Sequence, residues 1–336
     1  MTGYNRKHMT SFPRLLLPAA YVTDAAQHIR LAKTRVSLLT MVVADDASTD
    51  ELIDALSEAA ERGVDVEVSA DIFTYGELSG FFFPTRYRTA QSRKTTRMSK
   101  RFINSGVKFT WLGRSHATLF SGRTHIKWCM VDDTVYSFGG VNLYQKGIEN
   151  NDYMLTIDDG LLADRLIDEY HRLVRADAGD YSYRSHSFKH GDDTVLIDGG
   201  FVGDSIIYRR ACQLAAEATH VTLVSQYCPT GKLSGLLKKT SSRLYFNPPS
   251  NAHHLNRAVI RTGMFLSGHK TLYTKSRYLH AKFMLFDMPD GRRVAMTGSH
   301  NFVNAGVLLG TREIALQTEN PRTIKQLEDF LRTVIV

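Results

Sequence analysis

Residues 124–142, THIKWCMVDDTVYSFGGVN, carry the pattern around which the rest of the chain is arranged. The pattern is His-x-Lys, four residues, an aspartate, six residues and Gly-Gly-x-Asn. A second copy occupies residues 279–301, LHAKFMLFDMPDGRRVAMTGSHN. One His-x-Lys arises easily by chance, but two copies with the same aspartate offset and a following small-small-x-Asn are far more specific. The repeat predicts one active site built from two half-sites.

The polar residues of the two copies divide into candidates for chemistry and candidates for structure. In a strand, residues two apart share a face, so the histidine and lysine of each copy are expected to project together. The candidates for chemistry are His125, Lys127 and Asn142 in the first copy and His280, Lys282 and Asn301 in the second. Asp132 and Asp287 fall on the other face, and we expect them to hold the turns at the strand ends.

Each half also supplies a carboxylate that could orient a histidine. A nucleophilic imidazole needs an acceptor on its far nitrogen, which fixes the tautomer. Asp152 precedes the strand-like run YMLTI, and Glu313 precedes the run IALQT. These matched contexts predict Asp152 and Glu313 as the orienting carboxylates, with Glu149 as a competitor for the first role.

Two histidines, two lysines and two asparagines suit phosphoryl chemistry without a metal or another cofactor. The lysines and asparagine amides can hold the non-bridging oxygens and stabilise charge in the transition state. One neutral histidine attacks phosphorus and forms a covalent phosphohistidine. The other donates a proton to the leaving alcohol and later takes one from the acceptor. The adjacent His253 and His254 point apart, so they fit a zinc site poorly.

Composition limits the class of protein. The 336 residues are 43% hydrophobic and 23% charged, as in a globular protein with a substantial core. No apolar run reaches the roughly 18 residues of a membrane span, and the N-terminus resembles a secretion signal only weakly. Three cysteines without metal-like spacing indicate buried thiols in a reducing cytoplasm. The net charge of +8 predicts a polyanionic partner, either nucleic acid or an anionic membrane.

Strand-like and helix-like segments alternate in the same order in both halves. This alternation predicts an α/β fold with a mostly central sheet in each half, flanked by helices. The predicted organisation is a flexible tail at 1–12, an N-terminal half at 13–180 and a C-terminal half at 181–336. The polar stretch 176–193 is the best candidate for a linker between the halves.

An aromatic and basic segment precedes the first motif. Three phenylalanines are followed by seven lysines and arginines, without an acidic residue, up to Arg101. The segment is either a packing loop followed by a solvated helix face, or a surface that binds an anionic membrane. Nucleic acid would suit the same charges. The predicted membrane contacts are Phe81, Phe82, Phe83, Arg86, Arg88, Arg93 and Lys94.

At the two motifs, the chain resembles the phospholipase D superfamily, which is characterised by a His-Lys-Asp motif. The first copy matches the family pattern fully, whereas the second carries extra residues at 288–293 that we interpret as a hairpin insertion. The resemblance implies two similar phospholipase D-like halves related by a pseudo-twofold axis, with the active site between them. It also implies a phosphohistidine intermediate without a metal, with His125 as the nucleophile and His280 as the acid and base.

Within this resemblance, three enzyme functions compete: phosphatidyl transfer of the cardiolipin synthase or phosphatidylserine synthase kind, lipid hydrolysis, and cleavage of nucleic acid. The run GSHNF followed by GTREIAL is most similar to cardiolipin synthase-type proteins. We therefore predict a phosphatidyltransferase that acts on anionic phospholipid. Its expected location is cytoplasmic, peripheral at the inner face of the membrane. Nucleic acid is a partner only under the nuclease alternative, and a non-enzymatic binding module would leave both His-Lys pairs unexplained.

Overall fold

Two seven-stranded sheets organise the residues described by the computed structural model, which are 12–79, 88–113 and 121–336. The strands of the first sheet are β1 (Arg14–Leu16), β2 (Arg35–Thr40), β3 (Asp65–Asp71), β4 (Lys108–Leu112), β5 (Trp128–Val131), β6 (Thr134–Ser137) and β7 (Met154–Asp158). The strands of the second sheet are β8 (His186–His190), β9 (Asp193–Gly199), β10 (His220–Val224), β11 (Ser241–Tyr245), β12 (Phe283–Asp287), β13 (Arg293–Gly298) and β14 (Arg312–Thr318).

Helices pack against both sheets, and none of those described is long and apolar enough to cross a bilayer. The helices of the first half are α1 (Pro18–Leu31), α2 (Asp50–Glu61), α3 (Phe73–Ser79), α4 (Ala90–Asn104), α5 (Gln145–Glu149) and α6 (Gly160–Ala178). Those of the second half are α7 (Ile206–Glu217), α8 (Gly231–Leu237), α9 (His254–Ser267), α10 (Asn304–Leu309) and α11 (Pro321–Phe330), followed by a π-helical turn at Leu331–Ile335.

The two sheets repeat one strand order. In the first sheet the order is β1-β7-β6-β5-β2-β3, and in the second the equivalent strands run β9-β14-β13-β12-β10-β11. The pairs β2–β3 and β10–β11 are parallel, and the other pairs in this series are antiparallel. Each sheet has one further strand outside this shared series. In the first sheet it is β4, next to β3, and in the second it is β8, next to β9, at the opposite end of the series. The predicted α/β fold with two similar halves is confirmed.

The stretch predicted as a linker contains a strand, so this part of the prediction is wrong. β8 (His186–His190) lies within it and pairs with β9 along the edge of the second sheet. An edge strand with half-exposed residues needs few apolar side chains, and its sequence therefore reads as polar loop. The proposed division at residue 180 lies between α6 and β8 and stays a prediction. Residues 1–11 of the expected tail lie outside the described residues.

The two halves share one hydrophobic core. Its buried residues come from both sheets and from α11, and they include Trp128, Tyr153, Phe283 and Phe330. The Tyr153 ring meets the Phe283 and Phe330 rings edge-on, with centroids 6.1 and 5.0 Å away. Its hydroxyl lies 2.6 Å from Oγ1 of Thr297 in the other half. Since large side chains interdigitate across the junction, the halves pack as one body and not as separate domains.

The small residues of the motifs are required by neighbouring strands. A Cβ atom at Gly139 would lie 2.0 Å from the carbonyl oxygen of Tyr153, and one at Gly298 would lie 2.1 Å from that of Ile314. Both contacts are backbone against backbone, at the ends of β6 and β13.

Gly139→Ala is therefore expected to destabilise the fold. The added methyl group must displace the β7 backbone, which costs about 1–3 kcal/mol of the free energy of unfolding. The control is Gly235→Ala on α8, where no atom lies within 4 Å of the new Cβ and alanine is the better helix former. Urea denaturation measures both variants. Equal midpoints for Gly139→Ala and the control would contradict the close strand contact.

Candidate active site

The His-x-Lys pairs stand directly before their strands, not within them as predicted. Regular pairing begins at Trp128 in β5 and at Phe283 in β12. The reason is that the backbone of each histidine is bonded to the other half of the molecule. The lysine and histidine of each pair nevertheless face the same cavity, as the sequence predicts.

A backbone bridge between Thr124 and Arg312 positions the first histidine. The His125 N–H donates to the Arg312 carbonyl at 2.8 Å. Glu313 follows Arg312, and its Oε1 lies 3.0 Å from Nδ1 of His125. Burial alone would raise the pKa of Glu313, but the charge and hydrogen bond of His125, together with His300 and Lys127, lower this pKa to about 2. Glu313 is therefore an ionised acceptor for His125.

An equivalent bridge between Leu279 and Asn151 positions the second histidine. The His280 N–H donates to the Asn151 carbonyl at 3.0 Å, and Nδ1 of His280 lies 2.7 Å from Oδ2 of Asp152. Burial and the neighbouring charge of Lys282 lower the pKa of His280 to about 4, against the opposing effect of Asp152. At neutral pH, His280 is thus uncharged. Since the carboxylate can only accept, the proton sits on Nδ1 and the lone pair on Nε2.

The histidine–carboxylate pairs therefore cross between the halves. His125 of the first half is bound by Glu313 of the second, and His280 of the second half is bound by Asp152 of the first. Both predicted carboxylates contact a histidine. The competitor Glu149 lines the cavity, but its carboxylate accepts a hydrogen bond from Gln145.

The two lysines lie beside their histidines and are buried. Lys127 Nζ donates to the carbonyl of His125 at 2.6 Å. Lys282 Nζ donates to the carbonyl of His280 and lies 3.1 Å from its Nδ1. Burial lowers the pKa of Lys127 to about 8 and that of Lys282 to about 7, although nearby carboxylates oppose the shift. The ammonium groups are poorly hydrated and available to an anionic ligand.

Gly140 and Ser299 occupy equivalent positions but differ in effect. A Cβ atom at Gly140 would lie 2.7 Å from Oδ2 of Asp152 and 2.9 Å from Nζ of Lys282, so glycine lets these two groups approach. The Ser299 hydroxyl instead donates to Oε2 of Glu313. The two half-sites are consequently alike in architecture but not identical in their hydrogen bonds.

Buried polar atoms at the site have no partner among the described residues. They include Oδ1 of Asn142, Oδ1 of Asn301 and Nε2 of His300. His300 Nδ1 accepts from the N–H of Phe302 at 2.8 Å, so the proton must reside on Nε2. Burial lowers the pKa of His300 to about 4, which keeps the ring neutral. His300 is an additional donor at the site. It lies inside the second motif, where the first copy has Val141.

Most of these groups border one cavity of about 980 Å³, although Asp152, Gly140 and Ser299 do not line it. Its polar lining includes both histidines, both lysines, both asparagines, His300 and Glu313. Much of the remaining lining is aromatic or aliphatic, with Phe73, Tyr144, Tyr227, Val259, Tyr278 and Leu309. A cavity lined by both charged and apolar side chains suits a ligand with a charged group and an apolar body.

The aspartates of the motifs hold turns, as predicted. Asp132 has a positive φ of 50°. Its carboxylate accepts the backbone N–H groups of Lys33, Thr34 and Arg35 at 2.9–3.1 Å. Asp287 binds the Arg293 guanidinium at 3.0 Å across the β12–β13 hairpin, where the predicted insertion forms the turn. Neither aspartate lines the cavity.

The predicted membrane contacts are only partly visible. Phe81, Phe82, Phe83 and Arg86 lie outside the described residues. Arg88 precedes α4, and Arg93 and Lys94 lie on it. Lys94 forms an ion pair with Asp45 at 3.1 Å, so its charge is partly neutralised. No α4 residue is found in the described lining of the cavity.

Among the described residues, neither the cysteines nor the possible metal ligands form a second reactive site or a metal site. Cys129, Cys212 and Cys228 are buried free thiols, and burial raises the pKa of the Cys129 thiol to about 12. Across the described ranges, no group of three or more His, Cys, Asp and Glu side chains could hold a metal ion.

Comparison with known proteins agrees with this geometry. A family model described as "Cardiolipin synthase, PLD-like domain" matches residues 26–174 and 231–335. The structure of phosphatidylserine synthase from Haemophilus influenzae Rd KW20 is similar, with a TM-score of 0.71 and 14% identity over 96% of this chain and 86% of that chain. Polyphosphate kinase from Porphyromonas gingivalis has a TM-score of 0.60 and 14% identity, over 96% of this chain and 49% of that chain.

No curated protein matches the chain in a sequence comparison. At 14% identity, the two solved structures establish a shared fold and nothing finer. The family match is more specific, because its two segments cover most of the chain and include both His-x-Lys pairs. The chain belongs to the PLD-like domain family of cardiolipin synthase and is an enzyme of the phospholipase D superfamily.

Proposed function

We propose that the protein is a phosphatidyltransferase of the cardiolipin synthase kind, which acts on anionic phospholipid through a covalent phosphohistidine. The observation that carries the proposal is the crossed pair of histidines. Each has its Nδ1 bound to a buried carboxylate, and both border one cavity. Two oriented imidazoles beside buried lysines fit a two-step displacement at phosphorus.

In the first step, Nε2 of one histidine attacks the phosphorus of the donor lipid. A P–N bond forms, the P–O bond to the leaving alcohol breaks, and the other histidine gives that alcohol a proton. In the second step, the acceptor alcohol gives its proton to the same histidine and attacks phosphorus, and the P–N bond breaks. The first histidine returns to its starting state, so the cycle closes without another reactant.

Two arguments bear on which histidine attacks phosphorus, and they favour opposite assignments. The resemblance assigns the attack to His125 and the proton transfer to His280. The protonation state of His280 favours His280 as the nucleophile, because its low pKa keeps the ring neutral at pH 7, with the lone pair on Nε2. Trapping the covalent intermediate in the His125→Ala and His280→Ala variants separates the two assignments.

The remaining polar groups hold the reacting phosphoryl group. Lys127 and Lys282 supply positive charge close to both histidines, and the amides of Asn142 and Asn301 supply further donors. His300 adds a neutral N–H from the second half. Donors fixed in advance around the phosphorus stabilise the charge that develops on its oxygens.

An anionic phospholipid in a membrane is the substrate that fits this cavity best. The charged headgroup would meet the lysines, and acyl chains would run along the aromatic and aliphatic wall. The net charge of +8 favours peripheral contact with an anionic leaflet, which we place at the cytoplasmic face of the membrane.

The proposal predicts that the purified protein converts phosphatidylglycerol to cardiolipin and glycerol in the presence of excess EDTA. Mass spectrometry of the lipid extract measures the products. Phosphatidate without cardiolipin would instead identify a lipid hydrolase. Cleavage of single-stranded DNA without any change in the lipid would contradict the proposal and support a nuclease.

A further inference from the structure

One long segment of the second half carries only positive charge. Between Glu217 and Asp287 the chain contains ten lysines and arginines and no acidic residue. The segment includes α9, and both ends of α9 are informative. Asn256 and Val259, near its beginning, line the cavity, whereas its end is among the most exposed apolar surfaces of the described residues.

The outward side of α9 carries exposed apolar side chains next to the exposed Arg261 and Thr262. Phe265 and Leu266 are adjacent and are 87% and 72% exposed, and Val259 is exposed two turns earlier. Ile260 and Gly263 face inward and hold the helix against the second half. Single exposed apolar residues are common, but two large and largely exposed ones at consecutive helix positions indicate a binding surface.

A second apolar helix adjoins α9 at the cavity mouth. Thr230 lies between them: its hydroxyl accepts from the N–H of Asn304 in α10 at 3.2 Å, and its methyl group is 3.5 Å from the Cβ position of Gly263. On α10, Leu308 is 59% exposed, and Leu309 is exposed at the cavity rim. We define the α9–α10 surface by the residues Val259, Phe265, Leu266, Leu308 and Leu309.

We propose that the α9–α10 surface is where the enzyme docks on an anionic lipid bilayer. The surface is continuous with the cavity, because Val259 and Leu309 belong to both. Docking here would place the cavity mouth against the leaflet, so a lipid could reach the histidines without leaving the apolar phase. The inference deepens the proposed function and rests on it for the identity of the substrate.

The charges around the α9–α10 surface complement an anionic leaflet. Arg261 and Lys270 are exposed on and just after α9, and Arg277 is exposed at the cavity rim. None of the three forms an ion pair with another described residue. Basic side chains next to apolar ones are the composition of helices that lie in the membrane interface.

The basic helix α4, predicted from the sequence as a membrane contact, differs because some of its basic side chains form ion pairs. Lys94 pairs with Asp45 at 3.1 Å, and Arg101 pairs with Asp54 at 2.6 Å. These pairs reduce the charge that α4 can offer to lipid. At α9, Arg261 and Lys270 carry no such pair with a described residue and lie close in the chain to the exposed Phe265 and Leu266.

Two other occupants fit the surface less well. Nucleic acid would use the arginines and lysines, but it would leave the leucines and Phe265 without an apolar environment. A second copy of the chain would cover the apolar side chains, but it would bring Arg261 and Lys270 of one copy close to those of the other. A bilayer satisfies both the apolar and the basic side chains.

The test is flotation of the protein with vesicles of phosphatidylcholine alone or with phosphatidylglycerol added. We expect binding to the anionic vesicles, and at least about a tenfold loss of binding in Phe265→Glu/Leu266→Glu, since two exposed apolar side chains that would enter the leaflet are replaced by two negative charges. The matched control is Leu31→Glu on α1, which is 75% exposed and should bind like the wild type. Ile103→Glu on α4 tests the other candidate surface.

Hydrolysis of a water-soluble bis(p-nitrophenyl) phosphate separates docking from chemistry. The double variant should retain this hydrolysis while losing vesicle binding. Equal vesicle binding by the double variant and the wild type would overturn the inference, as would a wild type that does not float or a loss confined to Ile103→Glu. The inference would also be overturned if the double variant kept vesicle binding but lost either single-stranded DNA binding or dimer formation. Failure to turn over lipid despite correct docking would reject the proposed function alone.

Discussion

Changing either His125 or His280 to alanine is expected to lower kcat/KM by at least about 10³-fold, because each step needs both an attacking and a proton-carrying imidazole. The double variant should be no worse than the single variants, since residues that act as a unit are not additive. Initial rates on phosphatidylglycerol, whose leaving alcohol needs a proton, measure the effect. The control is His190→Ala, which removes another histidine–carboxylate pair, with Asp159 at 2.9 Å, outside the cavity.

Two independent half-sites would behave differently. Each single variant would then retain about half of the activity, and only the double variant would lose it. Such a result would contradict a single site shared by the two halves.

Asp152→Asn and Glu313→Gln are expected to lower kcat/KM by about 10²–10⁴-fold, because the amide cannot stabilise an imidazolium and can hold the wrong tautomer. The structure adds a more specific expectation. Asp152 should act with His280, and Glu313 with His125, although each pair joins opposite halves of the molecule.

A substrate with p-nitrophenol as leaving group tests this crossed pairing. Its departure needs little protonation, so variants that damage only the acid should still release a burst of p-nitrophenol. Variants that damage the nucleophile should not. The Asp152 variant is expected to fall in the same class as the His280 variant, and the Glu313 variant in the class of the His125 variant. The opposite grouping would indicate that each carboxylate serves the histidine of its own half.

The two motifs predict much of the fold and most members of the candidate site, because their information is local. Repeated spacing is sufficient to indicate two similar α/β halves and to select the histidines, lysines and asparagines. The turn role of Asp132 follows equally from its place seven positions after His125. These features depend on neighbours in the chain and therefore leave a pattern in the sequence.

Features created by assembly of the halves leave no such pattern. The contact of His125 with Glu313 arises from a backbone bridge between Thr124 and Arg312, which are far apart in the chain. The same bridge explains why His125 stands before β5 instead of within it. The donor role of His300 depends on the backbone N–H of Phe302, which fixes the tautomer. Only the folded chain reveals these contacts.

The central claim is that one histidine forms a covalent bond to phosphorus while the other transfers the proton. Its most direct test is intact-protein mass spectrometry, at neutral to alkaline pH, of His125→Ala and His280→Ala after mixing with a p-nitrophenyl phosphodiester. The account predicts a covalent adduct in one variant and none in the other. An adduct in His280→Ala identifies His125 as the nucleophile, and one in His125→Ala identifies His280. No adduct in either variant, or an adduct in both, would contradict the account.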